Sequence, residues 1–76
     1  MNLNEAVTIE DRFQARYKRM LKLSGKTRKQ VAGYLGVTEN TVNNRLNGHI
    51  AVSLKNADQM CGIFGMTLGQ LLAIEI

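Results

Sequence analysis

The stretch "TRKQVAGYLGVTENTVNNRLNG", residues 27–48, decides the fold because it encodes two short helices with little chain between them. Thr27 and Gln30 have the spacing of a capping box, in which each side chain satisfies a free N–H group at a helix start. Gly36 readily takes the left-handed conformation that ends a helix, and Thr38 is a suitable cap for the next one. The few residues between the two helices allow only a sharp turn.

Three more helices are expected around this pair. Thr8 with Asp11, then Ser53 and Thr67, supply helix-start signals before apolar residues at helical spacing. The predicted helices cover about residues 9–23, 27–35, 38–47, 53–64 and 67–73. We therefore predict an all-α fold, with one domain over residues 1–76 in which the second and third of five helices form a helix-turn-helix.

The expected core follows from the apolar positions of these helices. It comprises Ile9, Phe13, Tyr17, Met20, Leu21, Val31, Ala32, Leu35, Val37, Val42, Leu46, Leu54, Ala57, Met60 or Cys61, Phe64, Leu68, Leu71 and Leu72. Apolar residues make up 45% of the chain and proline is absent, which is the composition of a folded domain and not of a disordered tail.

Catalytic and metal sites are not indicated. His49 and Cys61 have no third partner for a metal site or an activated nucleophile, and no glycine-rich phosphate loop is present. A lone cysteine fits a reducing compartment, and no apolar run approaches the roughly 18 residues of a membrane span. We expect no enzyme activity, no metal, no cofactor, no membrane insertion and no export.

The positive charge is concentrated in one part of the chain. The net charge is +4, and all ten Lys and Arg residues lie between Arg12 and Lys55, where Glu39 is the only acid. Eight of the ten lie between Arg12 and Lys29. A solvated helix face would explain part of this pattern. A polyanion partner explains it better, because such a partner would use the charge where it is concentrated.

Four asparagines fall on one side of the third predicted helix. At about 100° per residue, Val42 and Leu46 mark the core side, and the opposite side carries Asn40, Asn43, Asn44 and Asn47. Asparagine is a poor helix former, so this face forfeits about 2 kcal/mol. An asparagine amide matches the donor and acceptor of adenine in the major groove, which admits a helix. The alternatives are a helix cap for Asn47 and plain polar surface for the others.

These residues resemble the helix-turn-helix of the phage repressor and Cro family, which is lambda repressor-like. The likeness includes Ala32, Gly36, Thr38 and the closing "NG", and it continues through "SLKNADQMCGIFGMTLGQLL", residues 53–72. The resemblance implies a compact five-helix domain with a short C-terminal extension. It also implies a sequence-specific double-stranded DNA-binding transcriptional regulator, of phage or prophage origin, in the bacterial cytoplasm.

The resemblance also implies site residues. The residues expected to read bases are Glu39, Asn40, Asn43 and Asn44. Phosphate contacts are expected from Arg28, Lys29, Thr38, Thr41, Arg45, Asn47 and His49. Two positions depart from the family pattern. Glu39 would have to accept from a cytosine amine or serve the helix dipole, and Arg45 replaces an apolar side chain.

The C-terminal "LLAIEI", residues 71–76, has two interpretations. Its apolar side chains either close the core or pair two copies of the chain into a dimer on an inverted-repeat operator. Two other functions stay open. The same fold can serve as an antitoxin-like protein-binding module, or the charge can serve a non-specific architectural DNA binder.

Overall fold

The computed structural model describes residues 8–74 and contains five α-helices within them. These are α1 (Ile9–Ser24), α2 (Arg28–Leu35), α3 (Glu39–Leu46), α4 (Leu54–Cys61) and α5 (Leu68–Ala73), with a 3₁₀ turn at Gly62–Phe64. No strand occurs in this part of the chain. The expected all-α, five-helix fold is confirmed.

Each α-helix begins behind a Ser or Thr side chain. The five caps are Thr8, Thr27, Thr38, Ser53 and Thr67, and each side chain accepts a hydrogen bond from the backbone N–H three residues later. In three of the helices an Asp or Gln returns a bond to the cap, which completes a capping box. The caps precede the helices, so α2 to α5 each begin one residue after the predicted start.

The fourth helix ends earlier than the sequence predicted. Its α-helical part stops at Cys61, and Gly62 to Phe64 follow as a 3₁₀ turn. The N–H of Gly65, which has a φ of 69°, donates to the carbonyl of Gly62. Two glycines so close together have low helix propensity, and the tighter turn gives a partner to carbonyls that the end of an α-helix leaves free.

A buried tyrosine joins the first helix to the fourth. Tyr17 of α1 is fully buried, and its ring centroid lies 5.4 Å from that of Phe13 and 5.0 Å from that of Phe64. Its hydroxyl donates a 2.7 Å hydrogen bond to the carbonyl of Met60. Burial raises the pKa of Tyr17 far above its usual range, so the hydroxyl stays a donor.

Two residues that the sequence placed in the core are exposed. Ile9 is 60% exposed and Leu54 is 70% exposed, while the residues from Phe13 to Leu71 that form the core are almost fully enclosed. Each exposed residue is the first of its helix, and both line one surface groove of about 330 Å³. Helical spacing predicts an apolar side along the whole length of a helix. At these two helix starts, no other described element covers that side.

Acidic side chains fasten two of the connections. Glu10 accepts a 3.1 Å hydrogen bond from the N–H of Val52, in the segment before α4. Asp58 accepts a 2.9 Å bond from the N–H of Leu68 at the start of α5. Both bonds satisfy backbone N–H groups near a helix start, where a negative partner is favourable, and they tie α1 to the segment before α4 and α4 to α5.

The turn between α2 and α3 depends on a left-handed glycine. Gly36 has a φ of 71° and a ψ of 31°. The N–H groups of Gly36 and Val37 both donate to the carbonyl of Ala32, so the chain reverses within a few residues of the helix end. Ala32 is buried beneath this turn, which brings α3 directly against α2.

Alanine substitutions at two glycines of this motif should have opposite effects on stability. Gly36→Ala places a Cβ in the left-handed region and should lower the free energy of unfolding by about 1 kcal/mol. Gly33→Ala should raise it by about 0.5–1 kcal/mol, since Gly33 is inside α2 and an added Cβ would meet no atom within 4 Å. Urea unfolding of both variants measures the difference. Equal effects at the two positions would contradict the role assigned to Gly36.

Alkaline pH should weaken the fold through Cys61. This thiol is fully enclosed, and burial, aided by the charge of Asp58, raises the pKa of Cys61 from 9.0 to about 11. Because the folded pKa lies above the unfolded one, the contribution is complete below about pH 9 and is lost as the pH rises toward 11. Urea unfolding from pH 8 to 11 should show a decline that is smaller in Cys61→Ala. An identical decline in both proteins would exclude the thiol as its source.

Candidate nucleic-acid interface

The third helix is held by one side and presents the other. Val42 and Leu46 have no exposed surface, and they are the two buried residues of α3. On the remaining surface, Glu39 and Asn40 are exposed, while Thr41, Asn43, Asn44 and Arg45 are half-buried. The structure therefore brings all four predicted base readers onto the outer part of this helix.

A pair of hydroxyls organises the start of α3. The Thr38 side chain accepts a 3.1 Å hydrogen bond from the N–H of Thr41, and the two hydroxyl oxygens are 2.9 Å apart. Glu39 lies in the first turn, where a carboxylate interacts favourably with the helix dipole. Thr38 is thus a cap, which satisfies one of the N–H groups that the start of α3 leaves without a partner in the helix.

An arginine at the start of α2 reaches the asparagine face, which is the side of α3 and its cap that carries Asn40, Asn43, Asn44 and Asn47. The Nη1 of Arg28 donates a 2.9 Å hydrogen bond to Oδ1 of Asn43, and both side chains are half-buried. The sequence placed these residues in separate groups, one for phosphates and one for bases. No local pattern could reveal the bond, because it joins positions 15 residues apart through the packing of α2 on α3.

The cations of α1 and α2 differ in exposure. Lys29 follows Arg28 in the first turn of α2 and is exposed. On α1, Arg12, Lys18, Arg19 and Lys22 are exposed and Arg16 is half-buried. No carboxylate appears in the first turn of α2, so the helix start keeps its positive character.

The end of α3 is built by backbone bonds. Asn47 is the C-terminal cap, and its N–H donates to the carbonyl of Asn43 at 2.9 Å. Gly48 then takes a φ of 79°, and the N–H of His49 donates to the carbonyl of Asn44 at 2.9 Å. The cap that the sequence offered as an alternative role for Asn47 is present. The side chains of Asn47 and His49 are exposed at this end.

His49 and Cys61 are the two side chains that could be considered for catalysis or metal binding. Cys61 is enclosed in the core whereas His49 is exposed, so the two side chains do not form a site together. Between residues 8 and 74, no cluster of three His, Cys, Asp or Glu side chains could hold a metal ion. Within that same range, every helix is too short or too polar to cross a membrane.

Comparison with known proteins adds one match. A family model described as helix-turn-helix matches residues 18–71, which run from α1 into α5 and include the whole of α2, α3 and α4. No curated protein and no solved structure matches the chain. The matched range is more than half of the 76 residues and contains the asparagine face, the left-handed turn and the Arg28–Asn43 bond.

Proposed function

The chain belongs to the helix-turn-helix family of DNA-binding regulators, and from that premise we propose that it reads specific operator sequences in double-stranded DNA. The observation that carries the proposal is the one-sided burial of α3. Val42 and Leu46 fix the helix in the core, while the outer side carries amides that can bond to base edges. The readers in this proposal are Glu39, Asn40, Asn43 and Asn44.

Phosphate contacts complete the proposed interface. Lys29 is exposed at the start of α2, and Thr38 caps the start of α3. These groups would fix the register of the protein on the duplex, and the amides of α3 would supply the sequence preference. The proposed phosphate contacts are Arg28, Lys29, Thr38, Thr41, Arg45, Asn47 and His49.

The regulator would act by occupancy. A Cro- or repressor-like protein of a phage or prophage, working in the bacterial cytoplasm, would exclude polymerase or another regulator from the operator that it covers. The interface needs no metal, no cofactor and no catalytic group. One short recognition helix covers few base pairs, so two copies on an inverted repeat would double the contacts.

Substitutions on α3 and α2 should separate base reading from phosphate binding. Asn44→Ala should cost about 1–3 kcal/mol on the operator and relax the preference at one base pair. Lys29→Ala should weaken binding to all sequences alike and lower the salt slope by about one. The measurement is binding to an operator selected from random duplexes and to a scrambled duplex, over a range of salt. An equal loss on both duplexes for Asn44→Ala would falsify its role as a reader.

The dimer can be tested at the C-terminus. Leu71 is buried and Ile74 packs against the core, so these residues serve the fold, whereas Glu75 and Ile76 lie outside the described residues. A chain that ends at Ile74 should still fold, but two copies of it should associate more weakly than two copies of the full chain. Sedimentation of both chains, free and on an inverted repeat, measures this. If the full chain stays monomeric on DNA, dimerisation is excluded.

A further inference from the structure

The Arg28–Asn43 bond sets the direction of one amide on the asparagine face. A guanidinium has only N–H donors, so the Asn43 atom that faces Arg28 at 2.9 Å must be the oxygen. That assignment normally depends on a choice between two amide orientations, and here the arginine leaves one. The Nδ2 group of Asn43, with two N–H donors, therefore points away from Arg28.

We propose that Arg28 is a positioning residue for Asn43, and that their bond makes Asn43 select guanine in place of adenine. The inference rests on the proposed function, since it names the base that one reader accepts. A free asparagine pairs with adenine by accepting from N6 and donating to N7. In Asn43 one of the two lone pairs of the oxygen already accepts from a charged donor, and such bonds are shorter and stronger than neutral ones.

Guanine fits the remaining groups. Its major-groove edge offers two acceptors, O6 and N7, and no donor. The N–H groups of Asn43 can donate to this edge without disturbing the oxygen that Arg28 holds. The positive charge of Arg28 beside the amide also favours the acceptor-rich edge of guanine over the adenine amine, whose N–H groups carry partial positive charge and are repelled by the guanidinium.

The neighbouring asparagines provide an internal contrast. Among residues 8–74, the side chains of Asn40 and Asn44 take part in no hydrogen bond, so both amides keep a donor and an acceptor available. Adenine remains the matching base for these two residues. One face would then present two kinds of reader built from one residue type, and the difference comes from α2.

Arg28 would also connect base reading to phosphate binding. A guanidinium carries five N–H groups, and in the described chain one of them is engaged, with Asn43. The others stay available for a phosphate at the start of α2. Loss of Arg28 should therefore reduce affinity for every duplex and, in addition, change the preference at one base pair. A purely electrostatic role predicts only the first effect.

The experiment is selection of bound sequences from random duplex DNA at fixed salt. The proteins compared are wild type, Asn43→Ala, Arg28→Ala and Lys29→Ala. Asn43→Ala identifies the base pair that Asn43 reads, because the base preference of the wild-type protein is lost at that pair in this variant. At that pair, wild type should prefer guanine over adenine by about tenfold, whereas Arg28→Ala should prefer adenine, because its Asn43 is a free asparagine. Lys29→Ala removes a neighbouring charge and should leave the ratio unchanged.

A double variant tests the dependence directly. Arg28→Ala combined with Asn43→Ala should show the same preference at that pair as Asn43→Ala alone, because Arg28 acts there through Asn43. Circular dichroism verifies that each protein folds. If Arg28→Ala is unfolded, Arg28→Met keeps the apolar stem without donors and replaces it in every comparison.

Several results would overturn the inference. These are an adenine preference of wild type at that pair, an unchanged guanine preference in Arg28→Ala, and no effect of Asn43→Ala at any position. In each of these cases the proposed function survives if Asn44→Ala still relaxes another base pair. Wild type without any sequence preference would overturn both.

Discussion

The eight residues of α3 are too few to hold a helix without tertiary support, and everything on the outer side of this helix depends on that support. Val42 and Leu46 bury one side completely. The Thr38 side chain accepts a hydrogen bond from an N–H group of the first turn, and the left-handed conformation of Gly36 turns the chain toward this cap. Because these contacts stabilise the helix from its inner side and its ends, the outer side can carry asparagines that disfavour helix formation.

The acidic residues show how charge is separated in the fold. Glu10 and Asp58 bind backbone N–H groups at the starts of later segments, and Asp11 completes the capping box of α1. Each of these acids serves the architecture outside α2 and α3. Glu39 differs, because it is exposed in the first turn of α3 beside the asparagines. Its carboxylate interacts favourably with the dipole of α3, and this interaction does not require contact with a base.

Local signals were enough to predict most of the fold. The caps are bonds between residues three apart, so Thr27 with Gln30 could be read directly from the sequence, as could the left-handed turn at Gly36. Burial at helix ends was less predictable, since Ile9 and Leu54 have core-like chemistry but lie where no described element covers them. The 3₁₀ turn after Cys61 depends on the balance between two weak helix formers, which periodicity does not measure.

The candidate site could be predicted only as a set of residues on one face. Helical spacing placed Asn40, Asn43 and Asn44 on one side of α3, and in the structure Asn40 is exposed and the other two are half-buried. Spacing could not distinguish their chemical states, because the partner of Asn43 comes from another helix. A contact between positions 15 residues apart depends on how two helices pack, and no pattern within either helix encodes that distance. Sequence therefore proposed the set of residues, and helix packing gives Asn43 a partner from α2.

The half-buried bond between Arg28 and Asn43 also determines at which step these two side chains lose their conformational freedom. An arginine loses up to about 2 kcal/mol of rotamer entropy when it is immobilised, and an interface that immobilises it on binding loses affinity accordingly. Here both side chains are restrained while the protein is free, so that entropy is lost during folding. The helix pair meets its ligand with this part of its surface already arranged.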